Sequence, residues 1–254
     1  MPDQADKQMM KRLIQAFFQR ILGFQNYLYV FSLFKIYTLR WDRPDQEGDF
    51  NFFLTLLQPH FHILDIGANI GIMSVLMAKR APQGKVYAFE PVPDNFQALQ
   101  RVVKFHDLSH VEMFPVALGT EAQKIQMQMP IMQGVQMQGL SHVAHESIDT
   151  YEAHYQHYEV DQWVLDKLDF FTDSPIHAIK IDVENYEQFV FQGGKQLIAR
   201  DKPVIYCELW PNENRQACFD LLTSLGYRIF VKEKEGLKAF DAARDTHHNF
   251  FFMP

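Results

Sequence analysis

Three observations predict an α/β fold built on one mainly parallel sheet. From His62 onward, short apolar runs alternate with helical patterns, the signature of stacked βαβ units. The segment HILDIGANIGIMS (62–74) leads an apolar run through a glycine-bracketed turn into a helical pattern. A chain of 254 residues that is 47% apolar can bury one core of domain size.

At the N-terminus, Met9, Met10, Leu13, Ile14, Phe17, Phe18, Ile21 and Leu22 recur in adjacent pairs, with Lys11, Arg12, Gln15, Gln19 and Arg20 between them. That spacing predicts an amphipathic helix that needs an apolar surface to lie on. The aromatic run YLYVFSLFKIY (27–37) continues the demand, and WDRPDQEGD (41–49) is polar and breaker-rich. We therefore expect a helical extension over 1–46 and the main domain over 47–254, opening with a short helix from Phe50 to Leu57. Strands are expected near 62–66, 85–90, 111–117, 177–182, 203–208, 227–232 and 248–253, with helices near 70–80, 94–105, 186–199 and 213–225. The alternation in IQMQMPIMQGVQMQG (125–139) predicts an exposed hairpin with one apolar face.

Charge and composition narrow the classes. The formal net charge is −7, from 24 Lys and Arg against 31 Asp and Glu, which argues against a nucleic-acid partner. The distribution is uneven: residues 1–46 hold seven basic residues against four acids, and the remainder seventeen against twenty-seven. Cys207 and Cys218 are too few for a disulfide framework and read as core packing in a reducing, cytoplasmic setting. The start lacks the pattern of a signal peptide, and Ile21 to Phe34 is too short an uncharged stretch to span a bilayer. Close histidine pairs occur at His142 and His145, His154 and His157, and His247 and His248, but without partnering cysteines no metal is expected. No nucleophile elbow of a serine hydrolase is present.

The turn after the first strand carries the chemistry. Gly67 and Gly71 give G-A-N-I-G, which fits neither the dinucleotide fingerprint nor the triphosphate loop. Asp65 at the strand end is expected to repel an anion and to welcome an ammonium group. Gly67 and Gly71 are expected to let backbone approach that ligand, and Asn69 adds a short amide near the helix start. Glu90, at the end of the second strand, stands where an α/β nucleotide site places an acid for two ribose hydroxyls. A cationic amino-acid end and an adenosine ribose together describe S-adenosyl-L-methionine. Across the cleft, Asp182, Glu184 and Glu187 follow the fourth strand in quick succession; Asp182 and Glu184 point toward the ligand edge of the sheet. Glu184 and Glu187 could instead cap the next helix. If the reaction is methyl transfer to a hydroxyl, a base must remove its proton. Asp182, expected to serve both catalysis and cofactor binding, leads the candidates for that base, followed by Glu184, His142 and Glu208. Trp210 could wall the acceptor pocket.

The ordered blocks DIGANIG (65–71), AFEPVPDNFQAL (88–99), VALG (116–119), VLDKL (164–168) and KIDVENYEQFVFQGG (180–194) resemble the FkbM-type family of S-adenosylmethionine-dependent methyltransferases. The resemblance is dense over about residues 60–210. It implies a Rossmann-like, seven-stranded class I methyltransferase sheet with its last strand antiparallel, and O-methylation of a hydroxyl on a sugar, glycoconjugate or other natural product. It also places Ser141 and His142 in a loop over the cofactor. Asn185 stands where that family usually has glycine. Methylation of an amine or protein side chain, and a catalytically silent cofactor-binding module, stay open as alternatives; a nicotinamide oxidoreductase would need the missing third glycine. Three readings also stay open for the N-terminal helix: packing on its own domain, a homodimer or partner surface, and peripheral contact with a membrane.

Overall fold

The computed structural model describes residues 4–39, 48–132, 134–144, 154–171 and 174–254. The chain begins with α1 (Gln4–Leu22), α2 (Phe24–Leu39) and α3 (Gly48–Leu56). It then alternates through β1 (Ile63–Ile66), α4 (Ile72–Arg80), β2 (Val86–Phe89), α5 (Pro93–Phe105) and β3 (Val111–Phe114). A strand-rich stretch follows: β4 (Ala117–Leu118), β5 (Gln123–Met132), β6 (Val135–Gln136), β7 (His142–Val143) and β8 (His154–Trp163). The alternation resumes with β9 (Ala178–Ile181), α6 (Glu187–Gly193), α7 (Lys195–Asp201), β10 (Val204–Glu208) and α8 (Glu213–Ser224). It closes with β11 (Arg228–Glu233), β12 (Gly236–Ala239) and β13 (Asn249–Met253).

The central sheet runs β12-β11-β13-β10-β9-β1-β2-β3. The expected seven strands are all there, and β12 makes an eighth by folding back antiparallel on β11. The last strand, β13, is antiparallel to both neighbours, β10 and β11. Its three consecutive phenylalanines are fully buried because each face of the sheet is covered. Phe250 and Phe252 pack with the layer of α6, α7 and α8, whereas Phe251 packs with the layer of α3, α4 and α5. Strand order reverses between β1 and β9, and the crevice outside their carboxyl ends is where such sheets bind ligands.

Several expectations are corrected. The helix expected over 186–199 is two helices, interrupted at Gly193 and Gly194, where a Cβ would lie 2.0 Å from the Gly119 carbonyl oxygen and 2.7 Å from Leu165. The strand expected over 111–117 stops at Phe114, before Pro115; Ala117 and Leu118 join a second sheet. In that sheet the hairpin of β5 and β6 is present but not exposed. Residues Met127 to Pro130 are buried on both faces, and β5 pairs along its length with β8, a strand that the sequence reading did not find.

The N-terminal helices divide in behaviour. α2 is part of the domain: Leu28 and Ser32 are fully buried, and the Ser32 hydroxyl donates to the Ile70 carbonyl at 3.0 Å. Arg101 of α5 stacks over Tyr29 at 4.1 Å and donates to Asn26 Oδ1 at 3.1 Å. Of the three readings open for α1, packing of its apolar stripe on its own domain is not what the structure shows. Its half-buried face is Arg12, Gln15, Ala16, Gln19 and Leu22, and its apolar pairs point outward. The expected boundary at 41–49 lies mostly outside the described residues.

This contrast predicts that Leu28→Ala will lower unfolding free energy by about 2–5 kcal/mol, as for a buried leucine, while Leu13→Ala will change it by less than about 0.5 kcal/mol. Denaturant unfolding of the full chain measures both.

Candidate functional site

β1 and β9 pair in parallel, with Asp65 directly beside Lys180. Side chains alternate between faces along a strand. Asp65, inside β1, therefore points into the layer of α4 and not toward the crevice. It is fully buried, its Oδ2 accepts the Ser74 hydroxyl at 2.5 Å, and its Oδ1 lies 3.4 Å from Lys180 Nζ. The expectation that Asp65 grips a ligand's ammonium group is thus corrected: Lys180 already neutralises it. Burial pulls the Lys180 pKa down, but Asp65, Asp182 and Glu90 outweigh it and hold the ammonium above its ordinary value. Lys180 Nζ also donates to the Gly67 carbonyl at 2.7 Å.

The two glycines serve packing. Gly67 has φ 76°, and a Cβ there would sit 1.9 Å from the Asp182 carbonyl oxygen; Gly71 has φ 82°, and a Cβ would meet Leu99 at 2.8 Å. Gly67 still borders the cleft, whereas Gly71 does not line it, correcting its expected role beside a ligand. Asn69, also left-handed at φ 50°, lines the cleft.

Glu90 lies one residue beyond β2 and is free of the strand's alternation. Its Oε2 accepts the Asn69 N–H at 2.8 Å and its Oε1 the Val92 N–H at 2.9 Å. These bonds aim the carboxylate into a cleft bordered by Asn69, Asn95, Asp182, Glu184 and Tyr186. Burial pushes Glu90 up to about 7, with the bonds from Val92 and Asn69 opposing the rise. Asn95 was missed by sequence reading, although it follows Glu90 by only five positions. Its Oδ1 and that of Asn69 are buried without a hydrogen-bond partner, leaving two acceptors unused beside Glu90.

Asp182 and Glu184 both line the cleft, as their positions past β9 suggest. Glu184 and Asn185 are consecutive left-handed residues, at φ 52° and 69°. Asn185 therefore holds the turn that glycine usually makes, with its Oδ1 accepting from Asn212 at 2.6 Å. Burial first, then the negative charges of Asp182, Glu208 and Glu187, push Glu184 up to about 8. Glu187 opens α6 without capping it: it accepts the Val183 N–H, ahead of the helix, at 3.0 Å and Asn214 Nδ2 at 2.7 Å, and burial raises it to about 7.

The remaining candidates lie elsewhere. His142 is buried in the second sheet, Nδ1 donating to the Leu140 carbonyl at 2.9 Å and Nε2 facing Gln128 at 2.7 Å; burial lowers its pKa. A ring with both nitrogens engaged away from the cleft is not placed to serve as base, which corrects that expectation. Its neighbour Ser141 does line the cleft. Glu208 ends β10 outside the cleft lining, and Trp210 is 46% exposed, its ring tilted against His248 with centroids 4.5 Å apart. Among the described residues, no group of three or more His, Cys, Asp or Glu is arranged to hold a metal, and His145 lies outside them.

The cleft has a free volume of about 60 Å³ and adjoins a chamber of about 240 Å³ walled by Phe31, Lys35 and Leu39 of α2. The two share Gly67, Asn69, Gln138, Gly139 and Asp182. No Lys, Arg or His lines the first space among the described residues, and three carboxylates do.

Residues 65–229 match the methyltransferase FkbM domain family. The chain belongs to this family. Methyltransferase 1 of Beauveria bassiana (strain ARSEF 2860) is 28% identical over 142 residues, covering 52% of this chain and 57% of that protein. Methyltransferase sdnD of Sordaria araneosa is 41% identical over 61 residues, 24% of each chain. The chain thus spans about half the length of the first of these curated relatives or less. The crystal structure of the FkbM methyltransferase from Methylobacillus flagellatus KT superposes with a TM-score of 0.54 at 15% identity, covering 96% of this chain and 59% of that one. The sheet of this FkbM domain is accordingly the Rossmann-like class I type with one added edge strand.

Removing the partner of Asp65 leaves a buried charge uncompensated. Lys180→Met is expected to lower stability by about 3–5 kcal/mol, read as a fall in Tm in thermal unfolding.

Proposed function

We propose that this FkbM domain binds S-adenosyl-L-methionine and methylates a hydroxyl group on a sugar, glycoconjugate or other small natural product. The observation that carries the reading is the make-up of the cleft: three carboxylates, two unfilled amide oxygens and no cation among its described lining residues. Such a lining suits a cationic nucleoside without phosphates and disfavours a pyrophosphate. Glu90 would accept the ribose hydroxyls, Asn69 and Asn95 the remaining donors, and Asp182 would face the positive end. When bound, the cofactor supplies a methyl group on a positively charged sulfur.

What remains for the protein is to align the acceptor and take its proton. Of the two cleft carboxylates that follow β9, Glu184 is the better base, ahead of Asp182. Held near 8 by burial and by Asp182, it binds a proton tightly enough to draw one from a hydroxyl, and its left-handed backbone holds it at the rim. An amine acceptor would have less need of such a group, which favours oxygen over nitrogen.

Isothermal titration is expected to show S-adenosylhomocysteine binding and no NAD binding, with affinity increasing as pH rises through about 7, because the ionised Glu90 is the form that accepts hydroxyls. Glu90→Gln is expected to weaken binding about 10- to 100-fold, as for hydrogen bonds to a charged group; NAD binding, or an unaffected variant, would overturn the cofactor reading. Turnover on candidate glycans, followed by mass spectrometry, is expected to rise with pH through about 8, where Glu184 loses its proton. Glu184→Gln should lower kcat by roughly 10²- to 10⁴-fold and flatten that profile, while S-adenosylhomocysteine affinity stays within a few-fold. An unchanged profile would remove Glu184 as the base.

A further inference from the structure

α1 carries its apolar residues on the outside. Leu13, Ile14, Phe17, Phe18 and Ile21 are each between 46% and 62% exposed, and Met9 and Met10 extend the stripe by another turn. This orientation is fixed by specific bonds. Gln19 Nε2 donates to the Gln136 carbonyl and Gln19 Oε1 accepts the Gln136 N–H, both at 3.2 Å, so the polar face of α1 is held against β6. Gly23, at φ 71°, separates α1 from the docked α2. A soluble surface rarely leaves so continuous an apolar stripe bare without a partner.

Charge identifies the partner. Residues 4–39 carry five Lys or Arg against one Asp, whereas the rest of the chain carries nineteen against thirty. A second copy pairing stripe to stripe would bring two positive segments together. Beyond α1, the exposed large apolar side chains among the described residues are Val30, Phe34 and Tyr37 of α2 and, elsewhere, Phe105, Phe170 and Trp210. An anionic bilayer meets both demands, an apolar interior for the stripe and negative headgroups for the exposed Arg20 beside it and for the net positive charge of the segment. No helix among the described residues is long and apolar enough to cross a membrane, so α1 would lie in the interface plane.

We propose that α1 docks this protein on an anionic membrane surface, with the stripe from Met9 to Ile21 inserted beneath the headgroups. Flotation of the full chain with vesicles tests it. Binding is expected to vesicles of phosphatidylcholine mixed with phosphatidylglycerol, to be several-fold weaker with phosphatidylcholine alone, and to fall as salt is raised. The double substitution Leu13→Glu with Phe17→Glu is expected to abolish binding while leaving Tm within a few degrees, since both side chains are exposed. Arg20→Glu is expected to weaken binding by roughly tenfold or more, as each basic residue near an anionic surface adds about fivefold and the reversal removes one and adds an acid. Absence of binding to the mixed vesicles, or binding that survives the double substitution, overturns the proposal. So does a wild-type dimer in sedimentation that the same substitution dissociates without any lipid binding.

Discussion

The buried pair of Asp65 and Lys180 is the constraint on which the site depends. It lies where strand order reverses, in direct register across β1 and β9. Lys180 also donates to the Gly67 carbonyl, so one ammonium ties the end of β1 to the turn that follows it. That turn then presses against the carbonyl of Asp182 so closely that no side chain fits at Gly67. An ion pair in this position adds little net stability compared with apolar packing, but it tolerates no one-sided loss. The pair spans the tips of two neighbouring strands, and the cleft is made by those tips.

Burial raises the proton affinity of three acids in and beside the cleft. Glu90, Glu184 and Glu187 are each withdrawn from water and each held above the ordinary carboxyl range, to about 7, 8 and 7. Their surroundings differ. Glu90 and Glu187 have backbone N–H donors that favour the ionised form. Glu184 is pushed up by burial and by three neighbouring acids, with Lys180 opposing. One set of acids is therefore equipped to receive hydrogen bonds, and another carboxyl is poised to exchange a proton near neutral pH.

Two accessory parts cover the crevice. The second sheet brings Met127, Ser141 and Val143 to its wall, and α2 brings Phe31, Lys35 and Leu39 to the adjoining chamber. Asp94 links them, accepting the Tyr158 hydroxyl from β8 at 2.7 Å and the Gln25 amide from α2. The N-terminal segment is thus split by function as well as by Gly23. α2 walls the site, and α1 is held away from it with its apolar side outward.

The order of strands and helices was legible in the sequence because parallel strands buried on both faces read as short apolar runs separated by helical periods. Glu90, Asp182 and Glu184 were legible as residues just past strand ends. Asn185 was legible as a residue suited to a left-handed turn. What the sequence left open turns on long-range pairing. Asp65 and Lys180 are 115 positions apart, and only the register of β1 on β9 shows that the acid faces its partner and not the cleft. His142 looked free until β5 supplied Gln128, and β8 was unreadable because its polar, histidine-rich run becomes a strand only by pairing with β5. The amphipathic period of α1 fixed that a helix forms and which residues share a face. Which face turns to water was decided by two hydrogen bonds to Gln136, because local periodicity sets the stripe while only a tertiary contact sets the rotation of the helix about its axis.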